Sequence, residues 1–227
     1  MWLNFKNLIM WKINSKEVKM RKESESENRV QLTMAKQQGT LIEVHNLPND
    51  DYFNVGFVVA LDPVFCLMIS IDWDGKINGL IAIRIKSILY TERHSDYLMT
   101  VSEKTKVAHD HNYFDIWQVQ KFIDNHPKIT QGNLLSNLLN DSYENRLPVV
   151  IGTEKYKGSD DFTGIITDLT PIKVTIHYYN DHDLSSLWEY DILRAKIDYL
   201  RVRGTQMATG KQIFNDIFNE MWLQYEL

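Results

Sequence analysis

The feature that most narrows the fold is a likeness of the chain to itself. Gly56-Phe57-Val58-Val59-Ala60-Leu61-Asp62-Pro63 recurs as Gly164-Ile165-Ile166-Thr167-Asp168-Leu169-Thr170-Pro171, with Gly, Leu and Pro in register at a spacing of 108 residues. A second block, Ile83-Arg84-Ile85-Lys86-Ser87-Ile88-Leu89-Tyr90, recurs as Ile192-Leu193-Arg194-Ala195-Lys196-Ile197-Asp198-Tyr199 at a spacing of 109 residues. The one-residue gain falls near Asn180-Asp181-His182-Asp183, a polar segment where a turn tolerates insertion. Two blocks that hold register across a single insertion predict one supersecondary unit used twice. At 227 residues the chain is long enough for two such units, each with its own core.

Each unit reads as consecutive short strands. Phe57 to Leu61 is an apolar strand opened by Gly56, and Val64 to Ile71 is a second, rich in Val, Ile and Phe. Asp62-Pro63 between them is turn chemistry, because Pro presets φ and lacks the N–H of a ladder. Asp72-Trp73-Asp74-Gly75 predicts a tight turn with Gly75 at positive φ. Leu80, Ala82 and Arg84 alternate with Ile81, Ile83 and Ile85, and Val174, Ile176 and Tyr178 alternate with Lys173, Thr175 and His177. One wet face and one dry face is the expectation for a small antiparallel sheet or barrel. Cys66, the single cysteine, lies in the apolar run Val64-Phe65-Cys66-Leu67-Met68 and reads as a small core residue.

A helix introduces each unit. Val30 to Gln38 precedes the strand Leu41-Ile42-Glu43-Val44, and Asn133 to Leu139 precedes Leu147-Pro148-Val149-Val150-Ile151. Phe114, Trp117, Phe122 and Ile123 predict a linking helix that stops before Pro127. Ile213, Ile217, Met221 and Leu223 predict a last amphipathic helix, and Trp2, Phe5, Ile9 and Ile13 sit at helical spacing in the opening stretch. Met20 or Met34 could equally be a start, and Lys22 to Asn28 reads as a solvated linker. The expected division is a tail over 1–29, a first module over 30–104, a helical linker over 105–132, a second module over 133–204 and a C-terminal helix over 205–227.

This order and these blocks resemble the Sm-like (LSm) family, over roughly residues 30–100 and 135–204. The resemblance implies a short helix followed by a bent five-stranded barrel of SH3-like type. Gly56, Val58, Leu61 and Asp62 fit the family's first motif, with Cys66 where an Asn is expected. Ile83, Arg84 and Ile88 fit the second, with Ile85 in place of Gly. In the second copy Gly164, Ile166 and Leu169 fit, Thr170 replaces Asp, and the Arg-Gly pair is absent. The family's RNA pocket uses the Asn and the Arg-Gly region, so the resemblance leaves Asp62 and Arg84 as the candidate nucleic-acid-binding residues. The expected fold class is mainly β with helices (α+β), as two tandem Sm-like/SH3-like barrels joined by a helical linker, the pair packing edge to edge about a pseudo-twofold axis.

Charge and chemistry limit the function classes. A net charge of −5 argues against a general polyanion binder, which needs a Lys/Arg excess to displace phosphate counterions. A phosphate-cradling Gly loop, a nucleophile elbow and a His-Glu-x-x-His helix are all missing from the sequence. His109-Asp110-His111, His177 and Asp181-His182-Asp183 carry metal-ligand residue types, the first pair spaced for one side of a strand, but in polar loop surroundings. Asp72-x-Asp74-Gly75 is like the start of a calcium loop, which Lys76 and the missing Glu interrupt. Trp73, Tyr178, Tyr179, Trp188 and Tyr190 are candidates for a base-stacking platform, with core packing as the competing role. The expectation is a cytoplasmic, non-enzymatic protein without cofactor or metal that binds a protein partner or itself. RNA binding is the alternative, a His/Asp metal enzyme the third reading, and neither DNA binding nor a membrane span is expected.

Overall fold

A computed structural model describes residues 23–47, 52–179 and 188–212 of the chain. The first described helix, α1 (Glu25–Gln38), begins earlier than the expected linker allows. Ser24 caps it: its Oγ accepts from the Glu27 N–H at 3.2 Å, and the Glu27 carboxylate accepts from the Ser24 N–H at 2.7 Å. This reciprocal box satisfies two orphan donors, so residues that look like a charged linker form the first helical turn. Asn28 inside that turn is fully buried and donates to the Ile88 carbonyl at 3.2 Å.

Four strands follow, β1 (Leu41–His45), β2 (Asn54–Leu61), β3 (Phe65–Ile71) and β4 (Ile77–Arg84), then a 3-10 turn over Ile85–Ser87 and β5 (Tyr90–Glu92). The turn at Asp72 to Gly75 forms as expected, with Gly75 at φ 81°. The connection to the second half is longer than the predicted linker. It comprises α2 (Asp96–Asp110), α3 (Val119–Asn125) and a 3-10 turn over Pro127–Thr130. The second half has α4 (Leu134–Glu144), β6 (Pro148–Thr153), β7 (Phe162–Leu169), β8 (Lys173–Tyr178), β9 (Glu189–Leu193), a 3-10 turn over Arg194–Lys196 and β10 (Ile197–Val202). Residues 205–212 are helical, while the apolar residues from Ile213 onward and the Trp2–Ile13 stretch lie outside the described residues.

The ten strands make one continuous open sheet in the order β5-β1-β2-β3-β4-β10-β6-β7-β8-β9, every neighbour antiparallel. The protein is therefore α+β with a large antiparallel sheet, and the expected pair of separate closed barrels is not what is seen. The two halves join because β4 pairs with β10, which removes one exposed edge from each. A pseudo-twofold would pair like strand with like. The observed seam joins the fourth strand of one half to the fifth of the other, a heterologous contact.

Within the sheet the halves keep the same internal order and register. Gly56 pairs with Ser70 and Gly164 with Tyr178, and a bulge falls between Val58 and Ala60 in one half and between Ile166 and Asp168 in the other. At both glycines the neighbouring strand comes too close for a side chain. A Cβ on Gly56 would sit 2.1 Å from the Ile69 carbonyl oxygen, and one on Gly164 would sit 2.4 Å from that of His177.

Burial differs from the one-wet-face expectation. On β3 and β4 both faces are dry: Phe65, Leu67, Leu80 and Ala82 belong to one core, while Cys66, Met68, Ile81 and Ile83 belong to the other. Leu32 and Ala35 of α1 cover the second core. The first is covered by Leu98 and Val101 of α2, Val119 and Phe122 of α3, and four leucines of α4. That same core also holds Val149, Ile151, Ile166, Val174 and Ile176, the inward positions of the second half. β2 comes nearest to alternation, with Val58 and Ala60 buried and Phe57, Val59 and Leu61 half-buried, whereas on β8 Thr175, expected on the wet face, is buried between Val174 and Ile176.

Candidate functional site

The seam between β4 and β10 brings the candidate residues together. Ile83 lies opposite Tyr199, Ala82 opposite Leu200, Ile81 opposite Arg201 and Leu80 opposite Val202. Arg84, at the end of β4, is 8% exposed and reaches across. Its Nε donates to the Ile197 carbonyl at 2.7 Å, an Nη donates to the Arg194 carbonyl at 3.1 Å, and its guanidinium stands 4.7 Å from the centre of the Phe65 ring. Burial holds its pKa below the usual arginine value, opposed by Asp198 and Asp62. Asp62 works one turn away. Its Oδ1 accepts from the Val64 and Phe65 N–H groups at 2.7 and 2.6 Å, and its Oδ2 accepts from the Leu134 N–H at the start of α4 at 2.9 Å.

The second half repeats the turn with a different residue. Thr170 Oγ1 accepts from the Ile172 and Lys173 N–H groups at 3.3 and 3.0 Å, as Asp62 does from Val64 and Phe65. Arg194 then donates to the Thr170 carbonyl at 3.0 Å and to Ser136 of α4. A cleft of about 710 Å³ opens between the two turns, lined among others by Asp62, Phe65, Arg84, Ser136 and Arg194. The structure thus brings the two candidate residues, Asp62 and Arg84, to one cleft. There Arg84 ties β4 to the second half, and Asp62 ties the β2–β3 turn to α4.

The outer edges of the sheet are β5 and β9, and among the described residues no strand pairs with their outer sides. On β9 and just before it, Trp188 (66% exposed), Tyr190 and Leu193 face solvent. β5 has only three residues, yet its Thr91 is buried, and the hydroxyl of Thr91 has no hydrogen-bond partner.

Other sequence candidates separate in space. His109 and His111 lie at the C-terminal end of α2 and not on a strand, so their spacing does not aim them together. His109 stacks on Phe114 with ring centres 3.8 Å apart. His177 is exposed on β8, and Asp181 to Asp183 lie outside the described residues. Among the described residues no three His, Cys, Asp or Glu side chains converge as a metal site would. Tyr178 and Tyr190 meet edge to face at 5.9 Å, whereas Tyr179 is buried and Trp73 belongs to another group, 5.5 Å from Tyr97. Cys66 is fully buried, and burial pushes its thiol pKa up.

One cluster has no counterpart in the sequence reading. Glu43 and His45 on β1 are both 5% exposed. Glu43 accepts from the Ser95 hydroxyl at the N-cap of α2 and lies 3.3 Å from His45 Nε2. The His45 ring stacks on Tyr90 and Phe53, at 4.0 and 4.7 Å. Serine and histidine both meet the carboxylate here instead of each other, so no nucleophile–base pair forms. Alternation along β1 would have flagged Glu43 as a polar group aimed at a covered face, but nothing in the sequence named Ser95 as its partner.

No family model, no curated protein and no solved structure matches this chain. Among the described residues, no helix is long and apolar enough to cross a membrane.

Proposed function

We propose that the chain is a non-enzymatic assembly module, two Sm-like/SH3-like five-strand units fused head to tail, which associates with further copies through the same kind of seam. The observation that carries this reading is the β4–β10 pairing, a contact between unlike edges that leaves the complementary pair, β9 and β5, at the ends of the sheet. A heterologous contact that can be made once can be made again, closing into a ring or extending. Shifting the seam register by the 109-residue spacing sets Ile192 opposite Tyr90, Asp191 opposite Thr91, Tyr190 opposite Glu92 and Glu189 opposite Arg93. The last pair is of opposite charge, which favours this register over a shifted one.

Size-exclusion chromatography with light scattering tests the reading. Multiples of 26.7 kDa that dissociate on dilution support it, as does loss of those species in Arg93→Glu and their return in Arg93→Glu with Glu189→Arg. A single monomer peak at every concentration counts against it. RNA binding at the seam cleft is the second reading, supported by the two arginines that line it. Filter-binding titrations over several salt concentrations decide it, since phosphate contacts make affinity fall steeply with salt.

A further inference from the structure

At the opposite end of the β2–β3 hairpin from the seam cleft lies a second cavity, of about 300 Å³. That is the lower end of the range that holds small ligands. It is bordered by aromatic rings that the packing leaves in the open: Tyr52 is 64% and Trp73 59% exposed. Tyr97 connects them to the interior, 5.5 Å from Trp73 and edge-on to Phe53 at 5.0 Å. Trp73 is held in place from behind, with the Lys104 ammonium 3.5 Å from its ring centre and donating to its carbonyl at 3.0 Å. Trp73 is thus fixed at the mouth, which Tyr52 also borders.

The polar lining is amide and guanidinium. Asn54 donates from Nδ2 to Asn46 Oδ1 at 2.7 Å, and Asn78 accepts at Oδ1 from the Thr205 N–H at 3.1 Å. These bonds orient both side chains and leave Asn54 its oxygen and Asn78 its amide nitrogen for a further contact. Ser70 adds a hydroxyl. Arg201, entering from β10, lines the same cavity, with one Nη 3.7 Å from Asp161 and a buried Nε–H that has no acceptor. The Arg201 side chain is 36% exposed, so its Nη end is open to a further acceptor while the Nε–H is closed off. Asp72 also lines the cavity, but its carboxylate accepts from the Asp74 and Lys76 N–H groups at 2.9 and 3.1 Å and sits 3.6 Å from the Lys76 ammonium.

We propose that this cavity binds a nucleotide through its base. A flat heteroaromatic ring stacks against the aromatic mouth, its edge meets Asn54, Asn78 and Ser70, and Arg201 takes a phosphate oxygen. Amides that both donate and accept read a base edge, which a purely apolar ring would leave unpaired. The ligand chemistry has two sources, a free mononucleotide or an unpaired nucleotide within single-stranded RNA. The site is independent of the edge-to-edge assembly, because it uses neither β9 nor the outer side of β5.

The test is a titration of the full chain with AMP, GMP, CMP and UMP, and separately with hexa-adenylate and hexa-uridylate, followed by calorimetry and by amide shifts in NMR spectra. Saturable binding of a mononucleotide assigns the free ligand, and binding of an oligonucleotide alone assigns the RNA. In either case Tyr52→Ala and Trp73→Ala weaken binding at least five-fold, the loss expected for one stacked aromatic. Both side chains are mainly exposed, so unchanged urea midpoints verify the fold. Arg201→Met weakens mononucleotide binding and leaves adenosine and uridine, titrated alongside as phosphate-free controls, less affected. No saturable binding by any of the six probes overturns the proposal, and so does binding that all three substitutions leave unchanged.

Discussion

Replacing Arg84 by Met isolates what the arginine does at the seam. Methionine keeps an apolar stem over the Phe65 ring but removes the donors to the Ile197 and Arg194 carbonyls. Hydrogen bonds to charged groups contribute about 1.5–3 kcal/mol each, so the two together set an upper range of about 3–6 kcal/mol. Releasing a buried guanidinium from its desolvation offsets part of this, which leaves a net loss of about 2–4 kcal/mol. With a urea slope of about 2–3 kcal/mol per molar, the midpoint of unfolding falls by about 1 M. Arg84→Lys keeps the charge, but a single ammonium cannot serve two diverging carbonyls, so it recovers about half the loss. Denaturation followed by far-UV circular dichroism reads both variants. A midpoint for Arg84→Met within about 0.2 M of the parent, well inside the slope above, would refute the reasoning and return Arg84 to the pool of residues available for a ligand.

Gly56→Ala and Gly164→Ala meet carbonyl oxygens at 2.1 and 2.4 Å, and overpacking of this kind costs about 1–3 kcal/mol. The two variants should lose stability to within about 1 kcal/mol of each other in urea melts, and a large loss in one alone would break the equivalence of the halves. The Cys66 thiol is fully buried with its pKa raised by burial, so a thiol reagent should label it only through opening, at a rate that levels off at the unfolding rate as reagent is raised. Tyr199 donates from its hydroxyl to Asp161 at 2.8 Å, and burial raises its pKa above the ordinary value. Its contribution is present below about pH 10, the unfolded value, and declines as pH rises above it. Tyr199→Phe should therefore show a shallower fall in urea midpoint between about pH 8 and pH 11, on either side of that value.

The strands were legible because turn chemistry and apolar runs coincide. Asp62-Pro63 and Asp72 to Gly75 bracket β3 where the sequence predicts, and Gly56 and Gly164 sit at equivalent ladder positions. What could not be read is how the faces are covered. The alternation along β4 predicts one dry side, but Ala82 and Ile83 are both fully buried, because the helices between the halves lie over the side that would otherwise be wet. α2 was missed for a related reason. Its buried positions Leu98, Val101, Thr105 and Ala108 include one hydroxyl and one small side chain, and only the packed sheet makes them a face. At the candidate site, Asp62 and Arg84 were visible as residues, but their partners Leu134, Arg194 and Ile197 lie 72 to 113 positions away. Local pattern holds no information about such contacts.

The way α4 covers the sheet has a consequence for assembly. α4 packs on β7 of its own half and also on β3 of the first half, and its leucines share one core with Leu67, Leu80 and Ala82. The second half therefore completes its interior with the outer face of the first, and separating them would expose apolar side chains on both. A seam with that much shared core is a permanent one. The far edges have less backing: α1 packs on β5, which is three residues long, and β9 presents Glu189, Tyr190 and Asp191 to solvent. Pairing there would rest on ladder hydrogen bonds, a few aromatic contacts and one charge pair. On the proposed assembly, the same edge geometry would make a fixed contact inside the chain, where the shared core backs it, and a reversible, concentration-dependent one between chains.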